Sequence, residues 1–145
     1  MTQEEKQLLL NDLCGRLSYG VKVCARFNTG NRYTTNVTAI SADRDYIQTR
    51  QNVLHSYTGS SVEDIRLYLR PMNSMTEEER EYLSEELGFD ENLENGELND
   101  FGSYVYNRVN VLPLFDWLNK NMFDYRGLIP MGLALEAPEG MYKTE

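Results

Sequence analysis

Residues 21–27, Val21-Lys22-Val23-Cys24-Ala25-Arg26-Phe27, decide how the rest of the chain is read. Val21, Val23, Ala25 and Phe27 alternate with Lys22, Cys24 and Arg26, the period of two that gives a strand one buried face. Asn28-Thr29-Gly30-Asn31 supplies turn chemistry. Residues 32–40, rich in Tyr, Thr, Val and Ile, predict the returning strand of a hairpin. Residues 41–44 turn the chain into a third strand around 45–51, and residues 52–60 have the composition of a loop. Ile65, Leu67 and Leu69 alternate again until Pro71 halts the run, which predicts a short fourth strand over 66–70. The segment 20–70 is therefore a strand meander.

On the N-terminal side, Thr2 and Glu5 form a capping box, Leu9, Leu10 and Leu13 make an apolar stripe, and Gly15 sits at the position of a C-terminal cap. Together they predict a helix over 2–14. On the other side, Thr76 and Glu79 form a second box ahead of Tyr82, Leu83 and Leu87, an acidic helix over 76–87 that Gly88 ends. Glu77, Glu78 and Glu79 suit the positive end of that helix. Residues 89–100 read as an acidic loop, and Tyr104-Val105-Tyr106 with Val109 as a further strand. Pro113 fits the first turn of a last helix carrying Leu114, Trp117, Leu118 and Met122. An apolar tail follows to residue 142, punctuated by Gly127, Pro130, Gly132, Pro138 and Gly140, and is expected to pack across the domain or onto another copy of it. The expected fold class is α+β: one domain spanning 1–145, with a small antiparallel sheet or half-open SH3-like barrel of four to five strands flanked by three helices.

At 145 residues the chain is long enough to bury a core unaided. It has no apolar run long enough to span a bilayer and opens on Thr2-Gln3-Glu4-Glu5-Lys6, so the expectation is a protein of the cytoplasm with no membrane partner. Its net charge of −9 is unevenly placed. Residues 76–100 hold eleven acids and one base, Arg80, while residues 16–70 hold eight bases against four acids. Direct binding of a nucleic acid is not expected against the acidic segment, but a small anion is compatible with the basic one.

Two cysteines, Cys14 and Cys24, and one histidine, His55, are too few for a closed Cys/His zinc site, and no metal or other cofactor is expected. Both thiols fit buried apolar positions. The chain lacks a phosphate loop ending in Lys-Ser or Lys-Thr and a Gly-x-Ser-x-Gly elbow. His55 lies among Ser56, Tyr57, Ser60 and Ser61, which suits a surface histidine better than a nucleophile's base, and Asp43 and Asp45 read as turn aspartates. The expectation is a protein that is not an enzyme.

Arg26, Arg32, Arg44 and Arg50, with Tyr33 and Tyr46 close in sequence, are the candidate ligand-binding set. Guanidinium forks match phosphate oxygens and tyrosines stack on bases, the requirements of a nucleotide pocket. The same arginines also fit the solvent face of a sheet or partners of the acidic segment. Arg126, in Asp124-Tyr125-Arg126-Gly127, joins the candidates as a ligand contact or as a cap for the preceding helix.

Three strings, Leu9-Leu10-Asn11-Asp12-Leu13-Cys14, the stretch from Tyr68 to Glu79, and Phe123-Asp124-Tyr125-Arg126-Gly127-Leu128-Ile129 with the run from Gly132 to Tyr142, resemble a family of short uncharacterised proteins of phages and integrated elements in Bacteroides-type gut bacteria. The resemblance is loose over 28–60 and 89–108. It implies a setting and no mechanism; in that setting, small proteins often act against host defence, some as sponges for nucleotide signals. The expected function is thus a non-enzymatic, homo-oligomeric binding protein that sequesters a small anionic, nucleotide-type ligand. The alternative is an interaction module that binds a host or phage protein through the acidic helix or the apolar tail.

Overall fold

The structure is a computed structural model and describes residues 1–26, 30–41, 47–50, 57–60, 62–86 and 111–142. Helix α1 (Gln3–Arg16) starts as its sequence dictates: Glu5 N donates to Thr2 Oγ1 at 3.1 Å and Thr2 N donates to the Glu5 carboxylate at 2.8 Å. It does not end at Gly15. The helix runs on through Arg16 into a 3-10 turn over Leu17–Tyr19, and the left-handed residue is Gly20, with φ of 77°. Gly15 serves packing instead, because a Cβ there would lie 3.3 Å from the side-chain nitrogen of Asn119 on the last helix.

Strands β1 (Lys22–Arg26) and β2 (Arg32–Ile40) pair antiparallel from Lys22↔Asn36 to Arg26↔Arg32. Strands β3 (Ile47–Arg50) and β4 (Tyr57–Ser60) continue the meander. Residues 57–60 therefore belong to a strand, where composition predicted loop; Gly59 and Ser60 hid an edge strand that needs partners on one side only. Strand β5 (Ile65–Leu69) returns to pair antiparallel with β1. The helices α2 (Glu77–Glu85) and α3 (Val111–Lys120) follow, and β6 (Ala134–Glu136) pairs parallel with β5.

The fold is α+β, and the described residues form three helices and a mixed six-stranded sheet in the order β4-β3-β2-β1-β5-β6. Two expectations change. The sheet is not wholly antiparallel, since the long connection through α2 and α3 lets the chain re-enter in the direction of β5. It is also open, which does not confirm the SH3-like barrel: closure would require the edge strands β4 and β6 to pair, and among the described residues they do not. The strand expected around 104–109 and the acidic loop at 89–100 lie outside the described residues. Among the described residues no helix is long and apolar enough to cross a membrane.

The main core lies between α1 and one sheet face, where Leu9 and Leu13 meet Val21, Val23, Ala25, Ile65, Leu67 and Leu69. A second cluster joins Met72, Met75 and Leu83 to Leu114, Leu118 and Phe123. The tail packs across the domain, one of the two outcomes expected of it. Arg70 N donates to Met122 O at 2.7 Å, Asp124 N to Arg70 O at 2.8 Å and Ala137 N to Leu69 O at 2.8 Å. Tyr142 completes the strap: its hydroxyl accepts from Lys22 N and lies 2.8 Å from Tyr68 O, bridging β1 and β5 where their ladder ends.

Candidate anion-binding site

Alternation places Lys22, Cys24 and Arg26 of β1 on the sheet face turned away from α1. Register then gives the neighbours on that face. Arg26 stands opposite Arg32, while Cys24 stands opposite Thr34 on one side and Arg66 on the other. Two arginines directly opposed across a ladder repel unless something anionic lies nearby. Part of the answer is Asp64, whose carboxylate accepts from Arg26 Nη2 at 2.7 Å.

The corner so formed is a shallow pocket of about 110 Å³ lined by Cys24, Arg26, Arg32, Glu63, Asp64 and Arg66. Arg66 is held in place: its Nε donates to Gly132 O at 3.1 Å and its Nη1 to Glu63 O and Ile65 O at 3.2 and 2.8 Å. The Glu63 carboxylate is drawn to Lys6 at 2.7 Å, and the hydrogen bond and charge of Lys6 hold its pKa below the usual value. Arg32 is exposed and makes no ion pair among the described residues. Three guanidiniums thus face two carboxylates, one of which is engaged by Lys6. The volume suits a single oxyanion such as phosphate, below the range that encloses a whole drug-sized ligand.

Of the residues singled out from sequence, only Arg26 and Arg32 meet here. Tyr33, beside Arg32 in the chain, faces the core side, with its hydroxyl 3.0 Å from Thr49 Oγ1. Arg50 ends β3, and its side chain is outside the described residues, as are Arg44, Tyr46, His55, Asp43 and Asp45. Cys14 is exposed on α1, against expectation, because it falls off the Leu9–Leu13 stripe; Cys24 is buried, and neither forms a disulfide. Among the described residues no group of three or more His, Cys, Asp or Glu is placed to hold a metal. Sequence reading passed over Arg66, Asp64 and Tyr68, although the alternation of Arg66 and Tyr68 with Ile65, Leu67 and Leu69 already put both on the polar face.

Arg126 is elsewhere, exposed at the edge of a junction built on a buried pair from α1. Asp12 and Arg16 are both fully buried and form a bidentate pair, with Nε–Oδ2 at 2.8 Å and Nη2–Oδ1 at 3.0 Å. Arg16 Nη2 also donates to Phe123 O at 2.6 Å. Arg126 reaches Asp12 Oδ1 at 3.1 Å, and both guanidiniums approach the Tyr125 ring, Arg16 at 5.2 Å and Arg126 at 5.3 Å from its centroid. Arg70 grips Glu79 with two bonds of 2.7 and 2.8 Å and sits 4.1 Å over the Phe123 ring. Asp124 accepts from the backbone of Leu128 and Ile129. These groups fasten α1, α2 and the tail to one another.

No family model, curated protein or solved structure matches the chain.

Proposed function

We propose that the protein is a non-enzymatic binding protein that sequesters a small anionic ligand of nucleotide type, holding a phosphate group in the Arg26, Arg32 and Arg66 corner. One observation carries this reading: three strands deliver three guanidiniums to one pocket, and Arg32 among them has no ion-pair partner in the described residues. Arg66 is pre-organised by three carbonyls, so little conformational entropy is lost when an oxyanion docks. The phage or mobile-element setting suggested by the three strings favours a sponge in the host cytoplasm that removes a nucleotide signal. The test is thermal denaturation with inorganic phosphate and a panel of linear and cyclic nucleotides. A ligand at a hundredfold excess over its Kd stabilises by about 2.7 kcal/mol. The Arg26→Gln/Arg32→Gln double variant should lose that shift; if no phosphate compound stabilises the wild type, the reading is wrong.

A second reading, an interaction module for a basic protein segment, draws on an open cleft of about 680 Å³ between the segment 70–79 and the tail. Glu78, Glu79, Glu136 and Glu139 line it with Arg70 and Tyr142. Both features named by that reading, the acidic helix and the tail, contribute walls. Under it, charge reversal at Glu78 and Glu139 abolishes capture of a basic partner in a pull-down, and unchanged recovery counts against it.

A further inference from the structure

Tyr68 lies on the same sheet face as the arginine corner, two residues along β5 from Arg66, which is about 7 Å of strand. Its hydroxyl comes within 3.5 Å of Thr34 Oγ1. Tyr68 is on β5 and Thr34 on β2, with β1 between them, so the two backbones are about 9.5 Å apart. A tyrosine closes that gap only by laying its side chain across β1. The registers Cys24↔Thr34 and Cys24↔Arg66 put that path diagonally over Cys24. Cys24 is 9% exposed although it belongs to the polar face and is absent from the core cluster, as expected of a residue roofed by a ring. Tyr68 itself is only partly buried, which leaves its ring an outward side.

We infer that Tyr68 is the base platform of this site, so that the ligand class is a mononucleotide with its phosphate in the Arg26, Arg32 and Arg66 corner and its base flat on the Tyr68 ring. The inference rests on the reading that the corner holds phosphate. The corner takes an oxyanion and no more, while the aromatic surface lies one nucleotide's phosphate-to-base reach away, on the same face and with no strand between. Stacking is tolerant of base identity, since every base presents a π face, so the site selects a nucleoside monophosphate over a sugar phosphate more sharply than one base over another. Thr34, on β2 of that face, offers a hydroxyl that a ribose or base edge meets.

The experiment is isothermal titration of the full chain with inorganic phosphate, ribose 5-phosphate, AMP and UMP. The expected result is that AMP and UMP bind at least about tenfold more tightly than ribose 5-phosphate, in keeping with one stacked base. Tyr68→Leu should remove that advantage and leave the phosphate affinity within twofold. Tyr68→Phe, which keeps the ring, should restore it and guards against a folding defect in the leucine variant. Equal affinities for AMP and ribose 5-phosphate, or a Tyr68→Leu variant that still prefers AMP, overturn the base platform while leaving the phosphate corner standing. No binding of any of the four overturns both.

Discussion

Arg26, Arg32 and Arg66 at the corner of the sheet and Arg16, Arg70 and Arg126 at the junction of α1 with the tail differ in what holds them. In the junction, Arg16 is fully buried on Asp12 and Phe123 O, and Arg70 is gripped by Glu79 and an aromatic face. At the corner, Arg26 shares an ion pair with Asp64 in which both side chains are well exposed, and Arg32 has none among the described residues. Exposed pairs stabilise little, whereas a buried charge left without its partner is severely destabilising. Arginine is thus a fastening in one region, while in the other Arg32 stands without an ion pair among the described residues, beside the engaged Arg26 and Arg66. Ion pairing separates the two, and proximity in sequence does not: Arg16 and Arg70 are each gripped by a carboxylate through two bonds, whereas Arg32 has no ion pair among the described residues.

The comparison breaks most visibly at Asp12. Asp12→Ala leaves Arg16 buried and uncompensated, and should lower the unfolding free energy by about 3–5 kcal/mol in urea titration. Arg32→Gln, in the other region, should stay within about 0.5 kcal/mol of wild type. If Asp12→Ala unfolds as easily or as reluctantly as Arg32→Gln, the distinction between the two regions fails.

Tyr142 gives the next effect. Its hydroxyl bonds close the end of the β1–β5 ladder, and Tyr142→Phe should cost about 1–2 kcal/mol. Burial pushes the phenol's pKa from 10.0 to about 12, against the opposing hydrogen bond from Lys22. The folded state therefore keeps a proton that the unfolded chain releases, so stability should fall as pH rises from 10 towards 12, and less so in Tyr142→Phe.

The smallest effect lies on the acid side. At Glu79 burial favours the neutral acid, but the hydrogen bonds from Arg70 and Thr76 and the charge of Arg70 outweigh it, and its pKa is lowered from 4.5. The contribution of this group is complete above the ordinary value and is lost as pH falls through the depressed one. Glu79→Gln should flatten that part of the acid unfolding curve while leaving the neutral-pH phosphate affinity unchanged.

Much of the fold could be read from particular residues. The two capping boxes fix the starts of α1 and α2, and the alternation around Val21 and Ile65 fixes the buried face of β1 and β5. What escaped were features set by distant partners. Gly15 reads as a cap until Asn119 packs on it, residues 57–60 read as loop until β3 supplies a ladder, and β6 is three residues long and defined only by β5. The site was half legible. The period of two places Arg26 on the polar face, but Tyr33 is only adjacent to Arg32 in the chain, and in a strand adjacent residues face opposite ways. Arg66 and Tyr68 were missed because pairing of β5 with β1 brings together residues some forty positions apart. Nothing local announces that pairing.

The most direct measurement is an amide chemical-shift titration of the uniformly ¹⁵N-labelled full chain with inorganic phosphate. Phosphate binding at the arginine corner predicts saturable shifts concentrated in residues 24–26, 32–34 and 64–68, with little change at Asp12, Arg16 and Arg126, and their loss in Arg32→Gln. Shifts centred on the junction or on the cleft beside α2, or no saturable shift at all, would contradict it.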